Sequence, residues 1–129
     1  MESRQLAVHI DRPAPDVYAY ASDPRHLPEW AAGLATSIDY VDGAWMVSTP
    51  DGPIVIAFAE PNPYGVLDHD VTMPSGETTY NPMRVTADGA GSEVVFSLRR
   101  APEMSDEDFD RDAEAVLADL RTLKARLEA

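Results

Sequence analysis

The feature that most constrains the fold of this chain is a long amphipathic pattern near its C-terminal end. No glycine or proline occurs between Ser105 and Leu127, and apolar residues recur there at spacings of three and four. This period predicts one continuous helix of about six turns, with Ser105 as the N-cap and a single apolar stripe. The stripe contains Phe109, Ala113, Val116, Leu117, Leu120, Leu123 and Leu127. A helix of this kind needs a large apolar surface to cover it, so the rest of the chain has to provide one.

A strand and two short helices are predicted at the N-terminal end. Residues 5–11 alternate in polarity, which indicates a half-buried strand with His9 on its outer side. Pro15 suits the first position of a short helix. Asp23 is a good N-cap for a second helix over residues 24–31, which we expect to end near Trp30 and Gly33.

From Ala35 to Arg100 the chain alternates short β-prone runs with turn signals, which predicts an antiparallel meander. Asp42-Gly43 indicates a two-residue hairpin that pairs Tyr40 with Trp45. We further expect four-residue loops at positions 50–53 and 61–64, a three-residue turn at 74–76 and a turn at 88–91. The expected cross-strand pairs are Ile38 with Val47, Val47 with Ile56, Trp45 with Phe58, Phe58 with Leu67, Ile56 with His69, Leu67 with Met83, His69 with Asn81, Met83 with Phe96 and Val85 with Val94.

This register places nearly all the large apolar strand residues on one concave face, because side chains alternate between the two faces of a sheet. The concave face is the partner expected for the C-terminal helix. Residues expected on the outer face are Asp39, Ser48, Asp68, Asp70 and Arg84.

Composition narrows the range of functions. A length of 129 residues predicts a single domain over residues 1–129, and the absence of cysteine excludes disulfides and cysteine-bound metals. The net charge of −13 would repel nucleic acid and anionic membrane surfaces. No export signal or membrane-spanning run is present, so we expect a cytoplasmic protein without membrane insertion.

The order of these elements resembles the START-like superfamily, also called SRPBCC, to which polyketide cyclases, lipid carriers and birch-pollen-type allergens belong. The most specific stretches are Val8-His9-Ile10-Asp11-Arg12-Pro13-Ala14-Pro15-Asp16-Val17-Tyr18, then Asp23-Pro24 and Pro28-Glu29-Trp30. The resemblance implies an α+β helix-grip fold, with a curved antiparallel sheet of about seven strands around the C-terminal helix. It also implies a cavity for a small, largely apolar molecule. It does not imply an activity, because the superfamily has no shared catalytic motif.

The residues expected to line that cavity are large apolar or amphipathic side chains on the inner face, the short helices and the long helix. They are Trp30, Tyr40, Trp45, Phe58, Leu67, His69, Asn81, Met83, Phe96, Val116 and Leu120. For each of the aromatic residues Trp30, Tyr40 and Trp45, ordinary core packing is the alternative.

His69 is the candidate catalytic residue. Strand alternation points it inward beside Asn81, while its neighbours Asp68 and Asp70 point outward and are expected to be solvated surface charges. His69 and Asn81 could hydrogen bond to each other, orient a ligand, or in the case of His69 transfer a proton. Burial should depress the pKa of His69 below the ~6.5 of a free side chain.

No metal or cofactor is expected. His26 and Glu29 could share a helical face, but two ligands without a third do not make a site. The run Gly89-Ala90-Gly91 belongs to a hairpin turn and lacks the helix that a dinucleotide motif requires.

Three functions therefore compete. The first is binding of a small hydrophobic molecule with cyclase or dehydratase activity on an aromatic or polyketide-like substrate. The second is a carrier or sensor without chemistry, and the third is a protein-interaction module that uses its acidic surface. The sequence allows either a monomer or a homodimer.

Overall fold

The computed structural model describes residues 2–31 and 37–129 of the chain. Gly33 and Ala35, the expected end of the second helix and start of the sheet region, lie outside these residues. The elements follow in the order β1 (Ser3–Ile10), α1 (Ala14–Ala21), a 3-10 turn (Pro24–His26), α2 (Leu27–Trp30), β2 (Ile38–Val41), β3 (Ala44–Thr49), β4 (Gly52–Phe58), β5 (His69–Thr72), β6 (Thr78–Asn81), β7 (Met83–Asp88), β8 (Gly91–Arg99) and α3 (Asp106–Glu128).

The strands form an antiparallel meander that ends beside β1. One ladder has the order β2-β3-β4-β5-β6 and the other has the order β1-β8-β7. Pro82 is the one residue between β6 and β7, and it interrupts the ladder because proline has no backbone N–H. Its carbonyl oxygen still accepts a hydrogen bond from the Ser97 amide at 2.9 Å. The eight strands of the described residues are therefore the seven expected strands with one of them divided.

Three of the predicted registers are confirmed. Tyr40 pairs with Trp45 across a turn in which Asp42 and Gly43 both have positive φ, as a type I′ hairpin requires. The turn at 74–76 and the turn before β8 also have the predicted lengths. Their pairs are His69 with Asn81, Met83 with Phe96 and Val85 with Val94.

The predicted register between β3 and β4 is wrong by two residues. The turn contains only Pro50 and Asp51, so Trp45 pairs with Ile56, and Val47 pairs with Ile54 instead of Ile56. A shift of two residues keeps every side chain on its predicted face, because the side-chain period of a strand is two.

The register between β4 and β5 is also shifted by two, since Phe58 pairs with His69 and Ile56 with Val71. The connection is longer than four residues because the Asn62 side chain organises it. Its Nδ2 donates to the carbonyl oxygens of Glu60 and Val66, each at 3.0 Å. Its Oδ1 accepts from the amides of Tyr64 and Val66, also at 3.0 Å. Such side-chain bonds replace ladder bonds and let the loop extend.

Helix α3 is continuous, as predicted. Ser105 caps it, and its hydroxyl accepts a hydrogen bond from the Asp108 amide at 3.1 Å. Leu120 and Leu123 are buried, while Val116 is half-buried. The helix packs against β1, β8 and α2, which gives the α+β helix-grip architecture. Between α3 and strands β4 to β6 the two surfaces separate and enclose a cavity.

Candidate ligand cavity

The cavity has a volume of about 670 Å³ and lies between α3, α2 and the inner face of the sheet. Its walls are mostly apolar, with a few polar side chains among them. The described lining is Leu27, Trp30 and Ala31 from α2 and its end, Ile56, Phe58, His69, Val71, Thr79, Asn81, Phe96 and Leu98 from the strands, and Asp112, Ala115, Val116, Ala118, Asp119, Leu120 and Thr122 from α3. Thr79 on β6 and Ala115, Ala118 and Thr122 on α3 are exposed, so the mouth lies between this strand and the helix.

Seven of the sequence-predicted residues line this cavity together. They are Trp30, Phe58, His69, Asn81, Phe96, Val116 and Leu120. They come from six different elements, so the tertiary fold is what brings them together.

The other four predicted residues lie outside the described lining. Tyr40 is 61% exposed on the outermost strand of its ladder, and its ring meets that of Trp45 edge-on with centroids 4.9 Å apart. Leu67 and Met83 are each 1% exposed and belong to the packed core. The expectation that these four residues surround the ligand therefore has no support in the geometry.

His69 is the first residue of β5, and its ring lies between two aromatic side chains. The ring centroid of Phe58 is 5.1 Å away and that of Phe96 is 5.8 Å away. The Nδ1 atom lies 3.0 Å from the carbonyl oxygen of Leu67. Because a carbonyl only accepts, Nδ1 carries the hydrogen, and Nε2 of the neutral ring is left as an acceptor.

Burial lowers the pKa of His69 from its ordinary value, and the hydrogen bond to Leu67 and the charges of Asp68 and Asp70 oppose this only in part. The direction agrees with the sequence prediction. Asn81 lies directly opposite His69 in the ladder, as predicted. The hydrogen bonds found among the described residues do not link these two side chains, and Nε2 takes part in none of them. His69 thus offers a neutral acceptor to a ligand at pH 7.

Trp30 supplies the opposite kind of polar group. The residue is 6% exposed and its indole Nε1 is buried without a hydrogen-bond partner among the described residues. A buried donor of this kind normally has a partner, so an unsatisfied one in a cavity wall is a candidate contact for a ligand oxygen.

Two carboxylates of α3, Asp112 and Asp119, also line the cavity, and sequence reasoning missed both. Burial raises the pKa of Asp119 from 3.8 to about 6. The signal was available in the spacing, since Asp112 precedes Val116 by four positions and Asp119 follows it by three. Positions at that spacing share a face of a helix, so both aspartates border the apolar stripe.

Asp68 was expected to be a solvated surface charge, and this is wrong. It is 6% exposed, and its carboxylate accepts hydrogen bonds from the Met83 amide at 2.9 Å and from the hydroxyl of Tyr80. It also forms a bidentate ion pair with Arg84, with Nε at 2.9 Å and Nη2 at 2.8 Å. These bonds hold the pKa of Asp68 well below its usual range. Asp68 immediately precedes β5, and its bonds reach residues on both sides of Pro82, so they stabilise the sheet where the ladder is interrupted.

His26 and Glu29, the two residues considered as metal ligands from the sequence, both contact Tyr20. His26 stacks on Tyr20 with ring centroids 4.3 Å apart, and its Nδ1 lies 2.9 Å from the Tyr20 carbonyl oxygen. Glu29 accepts a hydrogen bond from the Tyr20 hydroxyl at 2.7 Å. Within residues 2–31 and 37–129, no group of three or more His, Asp or Glu side chains is arranged to hold a metal ion. Among the same residues, no helix is long and apolar enough to cross a membrane.

The family described as polyketide cyclase/dehydrase and lipid transport has a sequence model that matches residues 1–128. The chain belongs to this family. The sequence matches no curated protein. The family description includes both an enzymatic activity and lipid transport. Membership alone therefore does not decide whether this chain is an enzyme or a carrier.

Solved structures share the fold at low sequence identity. The Aha1 dimer from Colwellia psychrerythraea has a TM-score of 0.77 at 16% identity, with 99% of this chain and 97% of that one covered. Ara h 8.0201 has a TM-score of 0.70 at 11% identity, with coverage of 98% and 97%. DynU16, a protein of the dynemicin biosynthetic locus, has a TM-score of 0.73 at 17% identity; all of this chain aligns, but with only 48% of DynU16.

Proposed function

We propose that the protein binds one small, largely apolar molecule in the cavity beneath α3. The observation that carries the proposal is a space of about 670 Å³ with aromatic and aliphatic walls and a few polar groups. This size and composition are typical of small-molecule sites. The family description, which includes lipid transport, supports the same conclusion.

Binding can be tested with the neutral fluorescent probe N-phenyl-1-naphthylamine. We expect saturable binding with one site per chain. Ala115 lies at the mouth of the cavity, and replacing it by Trp should block entry and weaken binding at least about tenfold, which corresponds to ~1.4 kcal/mol.

The matched control is Ala125→Trp, which adds the same side chain to an exposed position of the same helix outside the described lining. It should bind the probe as the parent protein does. Absence of a saturable signal in the parent protein would contradict the proposal. Unchanged binding in Ala115→Trp would show that the probe binds outside the cavity, and this would also contradict the proposal.

We further propose proton-transfer chemistry of the cyclase or dehydratase type in the same cavity. The supporting observation is that two lining groups have pKa values displaced in opposite directions, His69 downward and Asp119 upward to about 6. Such displaced pairs are characteristic of acid–base sites. In a dehydration, Nε2 of His69 takes a proton from the carbon beside a carbonyl, and protonated Asp119 donates its proton to the departing hydroxyl group, which leaves as water. About one Asp119 in ten is protonated at pH 7 when its pKa is about 6.

The same cavity could serve a carrier or sensor without chemistry, and two variants separate these functions. A substrate would first be sought by native mass spectrometry of the purified protein, which reveals a co-purifying molecule. Removal of a general acid or base typically lowers turnover by 10²–10⁴-fold, so we expect that loss in His69→Ala and Asp119→Asn while ligand is still bound. Unchanged turnover in either variant would remove that residue from the mechanism, and binding without turnover in the parent protein would favour the carrier. A protein-interaction module that uses its acidic surface would not need an internal cavity, so the cavity gives that function no support.

A further inference from the structure

The polar groups of the cavity are unevenly divided between donors and acceptors. The titratable residues of its described lining are Asp112, Asp119 and His69, and the lining contains no Lys or Arg. His69 carries its hydrogen on the Nδ1 atom that meets the Leu67 carbonyl, so Nε2 can only accept while the ring is neutral. An ionised carboxylate also only accepts. Against these acceptors, Trp30 presents one buried donor that has no partner among the described residues.

From this division we propose that the cavity selects an apolar molecule that carries O–H or N–H donors and no negative charge, such as a phenol, an alcohol or an amine. The inference rests on the proposed function, because it specifies the ligand of the same cavity. Donors of the ligand pair with His69 Nε2 and with the carboxylate of Asp119. One ligand oxygen can accept from the Trp30 indole. Thr79 and Asn81 can both donate and accept, so they accommodate such a ligand without selecting for it. The Thr122 hydroxyl already donates to the Ala118 carbonyl oxygen at 3.0 Å, so it can only accept from a ligand.

A ligand carboxylate meets two penalties in this cavity. It loses its hydration among apolar walls, and no described cationic side chain of the lining compensates for that loss. It also adds a second negative charge near Asp119, a group whose own ionisation is already opposed by burial. Fatty acids and other carboxylates are therefore the class that the cavity rejects.

Thermodynamic linkage sets the size of the preference for a cation. A bound ammonium group favours the ionised form of Asp119 and draws its pKa back from about 6 toward 3.8. Each pKa unit recovered corresponds to about a tenfold gain in affinity for the ionised protein. Full recovery would thus amount to about a hundredfold, and we expect between tenfold and a hundredfold because the ammonium group would also lose hydration.

The test uses three naphthalene probes that differ only in their polar group: 2-naphthol, 2-naphthylmethylamine and 2-naphthoate. Affinities are measured at pH 7.5 by NMR titration in a Trp45→Phe background, which leaves Trp30 as the single indole N–H signal. We expect the naphthol and the amine to bind at least about tenfold more tightly than the naphthoate. The Trp30 N–H signal should move on binding of the naphthol, whose oxygen can accept from it.

Asp119→Asn should narrow the difference between amine and naphthoate at least threefold. Glu114→Gln removes the same charge from an exposed position of the same helix and should leave the difference unchanged. Naphthoate binding as tightly as naphthol, or equal effects of the two variants, would overturn the inference while the proposed function stands. Failure of all three probes to bind would contradict the proposed function, and this inference with it.

Discussion

Replacing Asp119 by Asn should stabilise the protein at neutral pH, although most substitutions at a partly buried position of a helix destabilise. Asp119 lies on the cavity side of α3, and burial alone raises its pKa from 3.8 to about 6. Ionised Asp119 therefore opposes folding. Asn has nearly the same shape and cannot ionise, so the substitution removes the penalty with little change in packing.

The magnitude follows from linkage. A shift of about two pKa units corresponds to ~3 kcal/mol for a fully desolvated group. Asp119 is partly exposed to water, so we reduce the expected effect to about 1–2 kcal/mol. Because the pKa is higher in the folded state, the contribution of protonated Asp119 is full below about pH 4 and is lost as the pH rises through about 6. The variant should therefore be more stable than the parent at pH 7.5, and the difference should disappear near pH 4.

The assay is urea unfolding followed by circular dichroism at pH 4.5, 6.0 and 7.5, with the free energy of unfolding compared at each pH. Glu114→Gln serves as the control, since this residue is exposed on the same helix, and its effect should not follow the same pH dependence. A variant that is less stable than the parent at pH 7.5, or a difference that does not change with pH, would refute the reasoning. Either result would mean that the carboxylate is well solvated or has a stabilising partner.

Three further predictions follow from the packing and the buried charges. Leu120→Ala should lower the free energy of unfolding by about 2–5 kcal/mol in urea titrations, and a loss under about half a kcal/mol would show that the sheet does not hold the helix. NMR titration of the His69 ring should give a pKa below ~6.5, so the protein should be most stable above pH ~6.5, where the ring is neutral, and should lose stability as the pH falls. An ordinary pKa that a bound probe does not change would contradict the buried position of His69. Asp68→Asn should cost about 1–3 kcal/mol in the same urea assay, because it weakens the bonds to Arg84, whereas Asp70→Asn at the exposed neighbouring position should cost less than half a kcal/mol.

Local signals were sufficient for the helices and for the face of each strand residue. Each helix signal acts within the first turn of its own helix, so it can be recognised without the rest of the fold. These signals are Pro15, Asp23 and Ser105. The inner and outer faces were predicted correctly even where the pairing was wrong, because both errors were shifts of two residues.

The two register errors came from contacts that turn composition does not reveal. Pro50 and Asp51 form a two-residue turn where a four-residue loop was expected. At the next connection, the backbone amide of Asn62 donates to the hydroxyl of Tyr18, 44 positions away, at 3.0 Å. The length of a loop whose conformation depends on α1, a helix far away in the sequence, cannot be predicted from the turn residues between the two strands alone.

The cavity carboxylates were missed for a related reason. An amphipathic helix pattern predicts that the apolar residues are buried and that the polar residues are exposed to water. In this protein α3 packs on β1 and β8 but separates from β4 to β6, so one border of its stripe faces an internal space. Asp119 lies on that border, and its raised pKa follows from where the helix is placed and not from its neighbours in sequence. On a helix that covers only part of a concave sheet, an acidic residue three or four positions from the apolar stripe is therefore a candidate for the cavity as well as for the surface.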